Sequence, residues 1–540
     1  MGLTNCAVIG DLKRGTNKAE KRDRIIFSIA KFLKKIRPGI PQIKTKKSMA
    51  DQRNMKLKGL SWCQLQANLI AVCIVLMSLA ACAPKPIWVS LERKSEGAYP
   101  GEHWQKIESP EQLGWSSEKL QLAQEYSKKI GSAAVMIVYD GVVVDAWGDI
   151  TRNFQCHSMR KSLLSGLIGI HVEEGHIDLS KTLAQIGIDD YGPSLTAEEK
   201  QATVGDLIKA RSGIYHPALG ESADMKALRP KRGSHAPGTF WYYNNWDFNA
   251  LGTIFEKETR TGIFEEFDRR IAVPLQMNDF GANHCKYLTS ADYGDAWLSM
   301  HQYYLFRMSA RDLARFGLLF LREGQWQNRQ IISSDWVRES TASYSERGAG
   351  GGYGYMWWTG ANRGLLPNVR IREHSYYAAG YGGHRVIILP YRKLVVVNRV
   401  NTDLGLRHAM DHQIGRLLWL ILSAAGETDI GGEPCIEASN VARLTEDGLN
   451  QLLQEGARWV GPNVGIFPVG KFLLLSIARD GTLTLSATEE LKVGGKWWIS
   501  GDRFYFKILG LRSYFHIVQD GNIIKLFDET GTLFGTFKQS

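Results

Sequence analysis

The pattern of the chain predicts an α/β protein of the α+β type: an antiparallel sheet flanked by helices, followed by a small C-terminal β-rich domain. Three observations carry this reading. Two apolar runs, Ala133–Tyr139 and Val142–Trp147, flank Asp140-Gly141, the signature of a tight hairpin. Three more apolar runs, Val369–Ala378, Arg385–Leu389 and Leu394–Arg399, come only after a mostly helical middle. Beyond Gly431-Gly432-Glu433-Pro434, short alternating runs recur between turns at Asp480-Gly481, Gly494-Gly495, Asp520-Gly521 and Thr530-Gly531. Pairing the early hairpin with the late strands makes one sheet from the two ends of a long segment, and the middle supplies helices to cover it.

The first element is a prepiece, residues 1–81. Leu69–Ala81 carries no charge and is shorter than the roughly 20 residues a spanning helix needs. With the basic stretch Met55–Lys58 before it, it fits the apolar core of a secretory signal; the plainer alternative is a short buried helix. Leu79-Ala80-Ala81-Cys82 resembles a bacterial lipoprotein processing site, which makes Cys82 the expected lipid attachment point and new N-terminus. The expected location is the cell envelope, lipid-anchored to a membrane, and the periplasmic side of the outer membrane in a Gram-negative host. Residues 1–48 carry no recognisable device and read as an over-long gene start, with Met49 or Met55 as the first residue.

Charge supports this division. Of the 66 Lys+Arg and 55 Asp+Glu, 16 and 4 lie in the first 81 residues, which leaves 50 against 51 beyond. The formal net charge of +11 therefore belongs to the prepiece, and nothing else calls for nucleic acid as a partner. Past Cys82, only Cys156, Cys285 and Cys435 remain of the seven cysteines, so a large core and not disulfides must hold the fold.

Residues 82–112, with Pro84, Pro86, Pro100 and Pro110, read as a tether. Ser116 then caps an amphipathic helix. Ser-x-x-Lys occurs at Ser28, Ser116 and Ser158, and context separates the three. Ser158-Met159-Arg160-Lys161 stands directly before the apolar stretch SLLSGLIGI. That places Ser158 at the start of a buried helix with Lys161 one turn on, on the same face. The helix N-terminus favours a developing oxyanion, and burial drives a lysine toward the neutral amine that can take a proton. A capped core helix with a snorkelling lysine would produce the same residues.

The second element is Tyr243-Asn244-Asn245, followed by Leu251-Gly252 on an amphipathic helix. Here the sequence resembles the class C β-lactamase and penicillin-binding-protein-like serine hydrolases, most nearly the branch of 6-aminohexanoate-dimer hydrolase and related esterases. Asp206-Leu207, Arg211-Ser212-Gly213, Pro274–Met277 and Met308–Gly317 resemble further motifs of that family, so the likeness spans about residues 115–425. It implies a β-lactamase/transpeptidase-like fold with an all-helical subdomain and the site between it and the sheet. It also implies roles: Ser158 as nucleophile, Lys161 lowering its proton affinity, Tyr243 as general base, and Asn245 orienting substrate and Lys161. The family's late Lys/His-Thr/Ser-Gly motif falls on Ala378-Ala379-Gly380, where the cation and hydroxyl are missing and Gly380 is kept. Ser158 and Tyr381 would supply the oxyanion-binding backbone N–H groups.

Other signals are weak. Gly-x-Ser-x-Gly is absent, His408 and His412 lack the Glu of a metalloprotease helix, and Gly350-Gly351-Gly352 lacks the Lys-Ser/Thr of a phosphate loop. The organisation expected is 1–81 leader, 82–112 tether, 113–428 hydrolase domain and 436–540 accessory domain. The function expected is a serine hydrolase that cleaves a small ester or amide through an acyl-enzyme, with no cofactor and no metal. The alternatives are a D,D-peptidase or β-lactamase, and a non-catalytic envelope binding protein of the same fold.

Overall fold

The computed structural model describes residues 88–91 and 97–539, apart from 192, 347–350, 361–364, 405–408, 436–442, 455, 463–471, 487–491 and 509–510. Residues 1–81, expected as a leader, and Cys82 lie outside the described residues. Two short strands, β1 (Trp88–Leu91) and β2 (Trp104–Ile107), precede helix α1 (Ser117–Lys129), whose cap Ser116 accepts the Lys119 N–H at 3.2 Å. The hairpin follows as β3 (Ser132–Tyr139) and β4 (Val142–Gly148). Asp140 and Gly141 both take positive φ, 49° and 86°, as the tight primed turn requires. Helices α2 (Met159–Glu173), α3 (Asn245–Thr259) and α4 (Ala310–Leu321) occupy the middle. The chain then returns through β5 (Ser345–Glu346), β6 (Gly352–Tyr353), β7 (Trp358–Gly360), β8 (Ser375–Gly380), β9 (His384–Leu389) and β10 (Leu394–Val400) to α5 (Asp411–Ala424).

Among the described residues the largest sheet has ten strands, in the order β1-β2-β4-β3-β10-β9-β8-β7-β6-β5. Antiparallel pairing of β10 with β3, Val396 opposite Ile137, joins the early and late segments as the pattern predicted. The sheet is mixed, however, because β1 pairs β2 and β2 pairs β4 in parallel. These two strands come from the stretch expected as a tether. Pro100 and Pro110 flank the short β2 and hide it in the sequence, but Trp104 is fully buried and its indole N–H donates to the Arg311 carbonyl at 3.2 Å.

Both faces of the central strands are covered, which is why they read as unbroken apolar runs. Met136, Val138, Val386, Ile388, Val395 and Val397 pack with the residues of α2 and α4. Val135, Ile137, Ile387, Leu389 and Val396 pack with α1 and α5. Each such side chain contributes about 1.5–3 kcal/mol on burial. Helix α4 sits so close that a Cβ at Gly317 would lie 2.6 Å from Val395 Cγ1.

Three further details differ from expectation. β8 begins at Ser375; Val369 and Ile371 are buried against the α5 side without joining the strand. The sequence pattern after β10 predicts a long helix over Asp403–Ala425; it starts at Asp411, after a 3-10 turn at Thr402–Leu404. The helical region is not purely helical: Lys286–Leu288 pairs with Tyr303–Leu305, and Phe154–Gln155 with Arg307–Met308. Cys156 and Cys285 form no disulfide.

After helix α6 (Glu446–Leu453), eight strands from β11 (Ala457–Pro462) to β18 (Leu533–Gln539) form a closed barrel. Pairing of Trp459 with Gln539 and Val460 with Lys538 closes it. Its interior is filled by Trp459, Leu473, Phe504, Ile517, Ile524 and Phe537. The turn around Asp528 docks on α5: Asp528 Oδ2 lies 2.7 Å from His412 Nε2 and accepts from Gln413 Nε2 at 2.6 Å.

Candidate active site

Helix α2 is buried from Met159 to His171, since its sequence is apolar on every side. Ser158 stands at its N-cap, where the unpaired amides of the first turn gather partial positive charge. Lys161, one turn on, is 1% exposed, and its Nζ lies 2.7 Å from Ser158 Oγ and 2.8 Å from Tyr243 OH. Burial, helped by the adjoining Arg160 charge, holds the Lys161 pKa well below the ordinary lysine value.

Tyr243 arrives at this point because α3 starts just after it. Asn244 caps that helix, its Oδ1 accepting the Trp246 N–H at 3.2 Å. Its Nδ2 donates to the Ile214 carbonyl at 2.6 Å and to Asp247 Oδ1 at 2.9 Å, and Asp247 also accepts from Ser212 Oγ at 2.5 Å. The Ser212-Gly213 stretch is thereby tied to the turn that carries the phenol. Trp358 stacks on the Tyr243 ring, and Tyr353 meets it edge-on at 5.9 Å. Burial pushes the phenol's pKa above its ordinary value, against the opposing effects of a Ser158 hydrogen bond and the Arg160 charge.

Gly380 closes the site from the sheet. A Cβ there would lie 2.6 Å from the Cys156 carbonyl oxygen and 3.4 Å from Met159 Cγ, so only glycine lets the end of β8 meet the start of α2. The Tyr381 ring, 57% exposed, forms an edge contact with His157 at the rim.

Asn245 makes no hydrogen bond to Lys161. Its Nδ2 donates to the Gly220 carbonyl at 2.7 Å and secures the loop before α3, while its Oδ1 is buried without a partner. The first position of a helix aims this side chain at the preceding loop, which the spacing from Tyr243 does not reveal.

Arg160 is the residue the sequence reading passed over, as a variable position inside Ser-x-x-Lys. It is fully buried, with its guanidinium 4.0 and 3.9 Å from the ring centroids of Tyr303 and Tyr304. Its Nη2 donates to Asn249 Oδ1 at 2.6 Å. A permanently charged group is thus held in the core beside Lys161. A lone arginine just after a candidate nucleophile, ahead of an apolar run, was the available signal.

A hydroxyl at a helix N-terminus, an amine of depressed basicity beside it, and a phenol in contact with the amine can together move a proton off the hydroxyl and on to a departing group. Residues 120–417, more than half of the chain, match the Beta-lactamase family. Among solved structures, a candidate 6-aminohexanoate-dimer hydrolase from Bacillus anthracis is 19% identical, covering 56% of this chain and 81% of its own, with a TM-score of 0.43. An octameric penicillin-binding protein homologue from Pyrococcus abyssi is 17% identical, covering 78% and 99%, with a TM-score of 0.44. A candidate beta-lactamase from Bacteroides dorei is 15% identical, covering 58% and 99%, with a TM-score of 0.42. On the family match, which takes in both helix α2 and the strands it packs on, the chain belongs to the beta-lactamase family, whose members are typically serine hydrolases.

Proposed function

We propose that this chain hydrolyses a small ester or amide through an acyl-enzyme on Ser158. The observation that carries the reading is the position of the buried Lys161 Nζ, 2.7 Å from Ser158 Oγ and 2.8 Å from Tyr243 OH. Lys161 takes the Ser158 proton as Oγ attacks the carbonyl. Tyr243 was expected as the base, but burial makes its phenolate the costlier form; it serves instead as the relay. Its O–H gives a proton to the leaving group while it receives one from the Lys161 ammonium. The backbone N–H groups of Ser158 and Tyr381 hold the oxyanion. Water then attacks the acyl group, its proton follows the same route, and Ser158 leaves as a hydroxyl. No step needs a metal or cofactor.

The same reading assigns Cys82 as the lipid attachment site, residues 1–81 as a removed leader, the envelope as the location, 113–428 as the hydrolase domain and 436–540 as accessory. Among the described residues no helix is long and apolar enough to cross a membrane. Metabolic labelling with a fatty-acid analogue tests the anchor, with Cys82→Ser expected to abolish it.

Intact-mass detection of a fluorophosphonate adduct tests the nucleophile. The parent protein and Ser116→Ala should each gain one adduct, and Ser158→Ala none. Mapping of the adduct to another serine would overturn the assignment. Tyr243→Phe should fold normally and turn over about 10²–10⁴-fold more slowly.

A further inference from the structure

The C-terminal end of α2 holds a second cluster, which acyl transfer does not use. The helix closes in a Schellman turn: the His176 N–H donates to the His171 carbonyl at 2.8 Å, and the Gly175 N–H to the Val172 carbonyl at 3.0 Å. Gly175 supplies the required left-handed φ of 74°. Such a turn folds its last residue back over the helix, and the two positions that meet are ordinarily apolar. Here both are histidines, and Glu174 is the cap between them.

Their donor atoms converge. His171 Nδ1 and His176 Nδ1 are 3.0 Å apart; Glu174 Oε2 lies 3.4 Å from His176 Nδ1 and 3.7 Å from His171 Nδ1. Ligand atoms about 2.0–2.1 Å from a tetrahedral zinc stand about 3.3–3.4 Å from one another, within the span of these separations. His171 is already oriented for the task. Its Nε2 faces Glu266 Oε1 at 3.0 Å, and Glu266, 2% exposed, is ion-paired with Arg269 at 2.7 Å. That places the proton on Nε2 and the lone pair on Nδ1, the carboxylate backing found behind zinc-bound imidazoles. Arg270 holds the Glu174 carboxylate in place with a fork, Nη2 donating to Oε1 and Nη1 to Oε2 at 3.1 Å, and the second lone pair of Oε2 is the one available to the cluster. The His176 and Glu174 side chains are 54% and 36% exposed, so solvent reaches an open fourth position.

We propose that His171, Glu174 and His176 bind one zinc ion, with water as fourth ligand, and that the metal staples the end of α2 to the turn that follows it. Ser158 lies at the other end of the helix, about 20 Å away at 1.5 Å per residue, so the ion takes no part in the hydrolysis.

The test is calorimetric titration of the tag-free, EDTA-treated protein with zinc chloride, paired with metal analysis after dialysis and thermal melting. One zinc per chain and a raised melting temperature are expected. His176→Ala and Glu174→Gln change partly exposed side chains and should leave the circular dichroism of the metal-free protein unaltered. Each should weaken zinc binding by at least about tenfold, since even residues behind a metal ligand contribute 10–100-fold. No bound zinc in the parent protein, or parental affinity in both variants, would overturn the assignment.

Discussion

The Trp358 indole lies face to face with the Tyr243 ring, their centroids 5.0 Å apart and their planes inclined by 25°. The phenol's position therefore depends on a residue that β7 presents from the sheet, not only on its own helix. Trp358→Ala should lower kcat about 10–100-fold with little change in KM, because a catalytic group displaced by an ångström loses about that much. Trp358→Phe keeps a ring face and should retain most of the rate. Steady-state kinetics on p-nitrophenyl butyrate would show it; an unchanged kcat in Trp358→Ala would mean that Lys161 alone fixes the phenol.

The second prediction concerns pH. Lys161 must be neutral in the free enzyme to accept the Ser158 proton, so kcat/KM should fall as pH drops through its lowered pKa. Burial is the larger cause of that lowering and the Arg160 charge the smaller. Arg160→Met removes the charge, lets the amine hold its proton more tightly, and should move the acid limb of the profile to higher pH. Arg160→Lys keeps a charge and should leave the limb near the parental position. The same limb in Met and Lys variants would separate Arg160 from the amine's titration.

Much of this arrangement was legible in the sequence, for physical reasons that vary by element. The hairpin could be read because Asp140-Gly141 fits one turn type, and helix α2 because an apolar run followed Ser158. β2 could not: a four-residue strand between prolines has no period, and its place is set by Trp104 reaching Arg311 across the fold. Closure of the barrel depends on Trp459 meeting Gln539, a pairing of distant residues that no local pattern encodes. The bond from Asn245 to the Gly220 carbonyl is not legible either, because a family motif fixes residue type and spacing, not which neighbour the side chain meets.

The barrel's attachment gives the third prediction. Burial alone would raise the Asp528 pKa, but hydrogen bonds from His412, Thr530 and Thr532 bring it down to about 2. A carboxylate depressed in the fold adds stability that is present above its unfolded pKa of about 3.9 and is lost as pH falls toward the folded value. The contribution at neutral pH is about 2–3 kcal/mol. Asp528→Asn should therefore melt at a lower temperature than the parent at pH 7, with the gap closing as pH falls from about 4 to 2. A gap that stays constant across that range would show that shape, not charge, holds the turn on α5.

The last prediction concerns what the site accepts. A carboxylate beside the scissile bond, as in a penicillin or a peptide C-terminus, needs a cation and a hydroxyl at the positions of Ala378 and Ala379. A charge-assisted hydrogen bond of that kind contributes about 1.5–3 kcal/mol, or roughly 10–150-fold. Three nearby side chains could have replaced the missing cation, and each is otherwise engaged. Arg385 sits opposite Ala379 in register, on the sheet face toward α5; it pairs with Asp411 and donates to the Gly380 and His384 carbonyls at 3.2 and 2.7 Å. His384 is fully buried, and its Nδ1 accepts from Arg399 Nε at 2.9 Å. His374 lies before the far end of β8, 3.2 Å from Thr341 Oγ1, about 20 Å of strand from Gly380. Ser158, Lys161 and Tyr243, the groups proposed for acylation, are all present, while Ala378 and Ala379 offer neither a cation nor a hydroxyl. Small esters, and amides without an adjacent carboxylate, should therefore show a higher kcat/KM than nitrocefin or a D-Ala-D-Ala peptide, by about the 10–150-fold that the missing contact is worth. The comparison is made on one preparation with p-nitrophenyl acetate and butyrate as the esters. If the β-lactam or the peptide is favoured more than about tenfold, a cation reaches the site from elsewhere and the chain is a β-lactamase or D,D-peptidase.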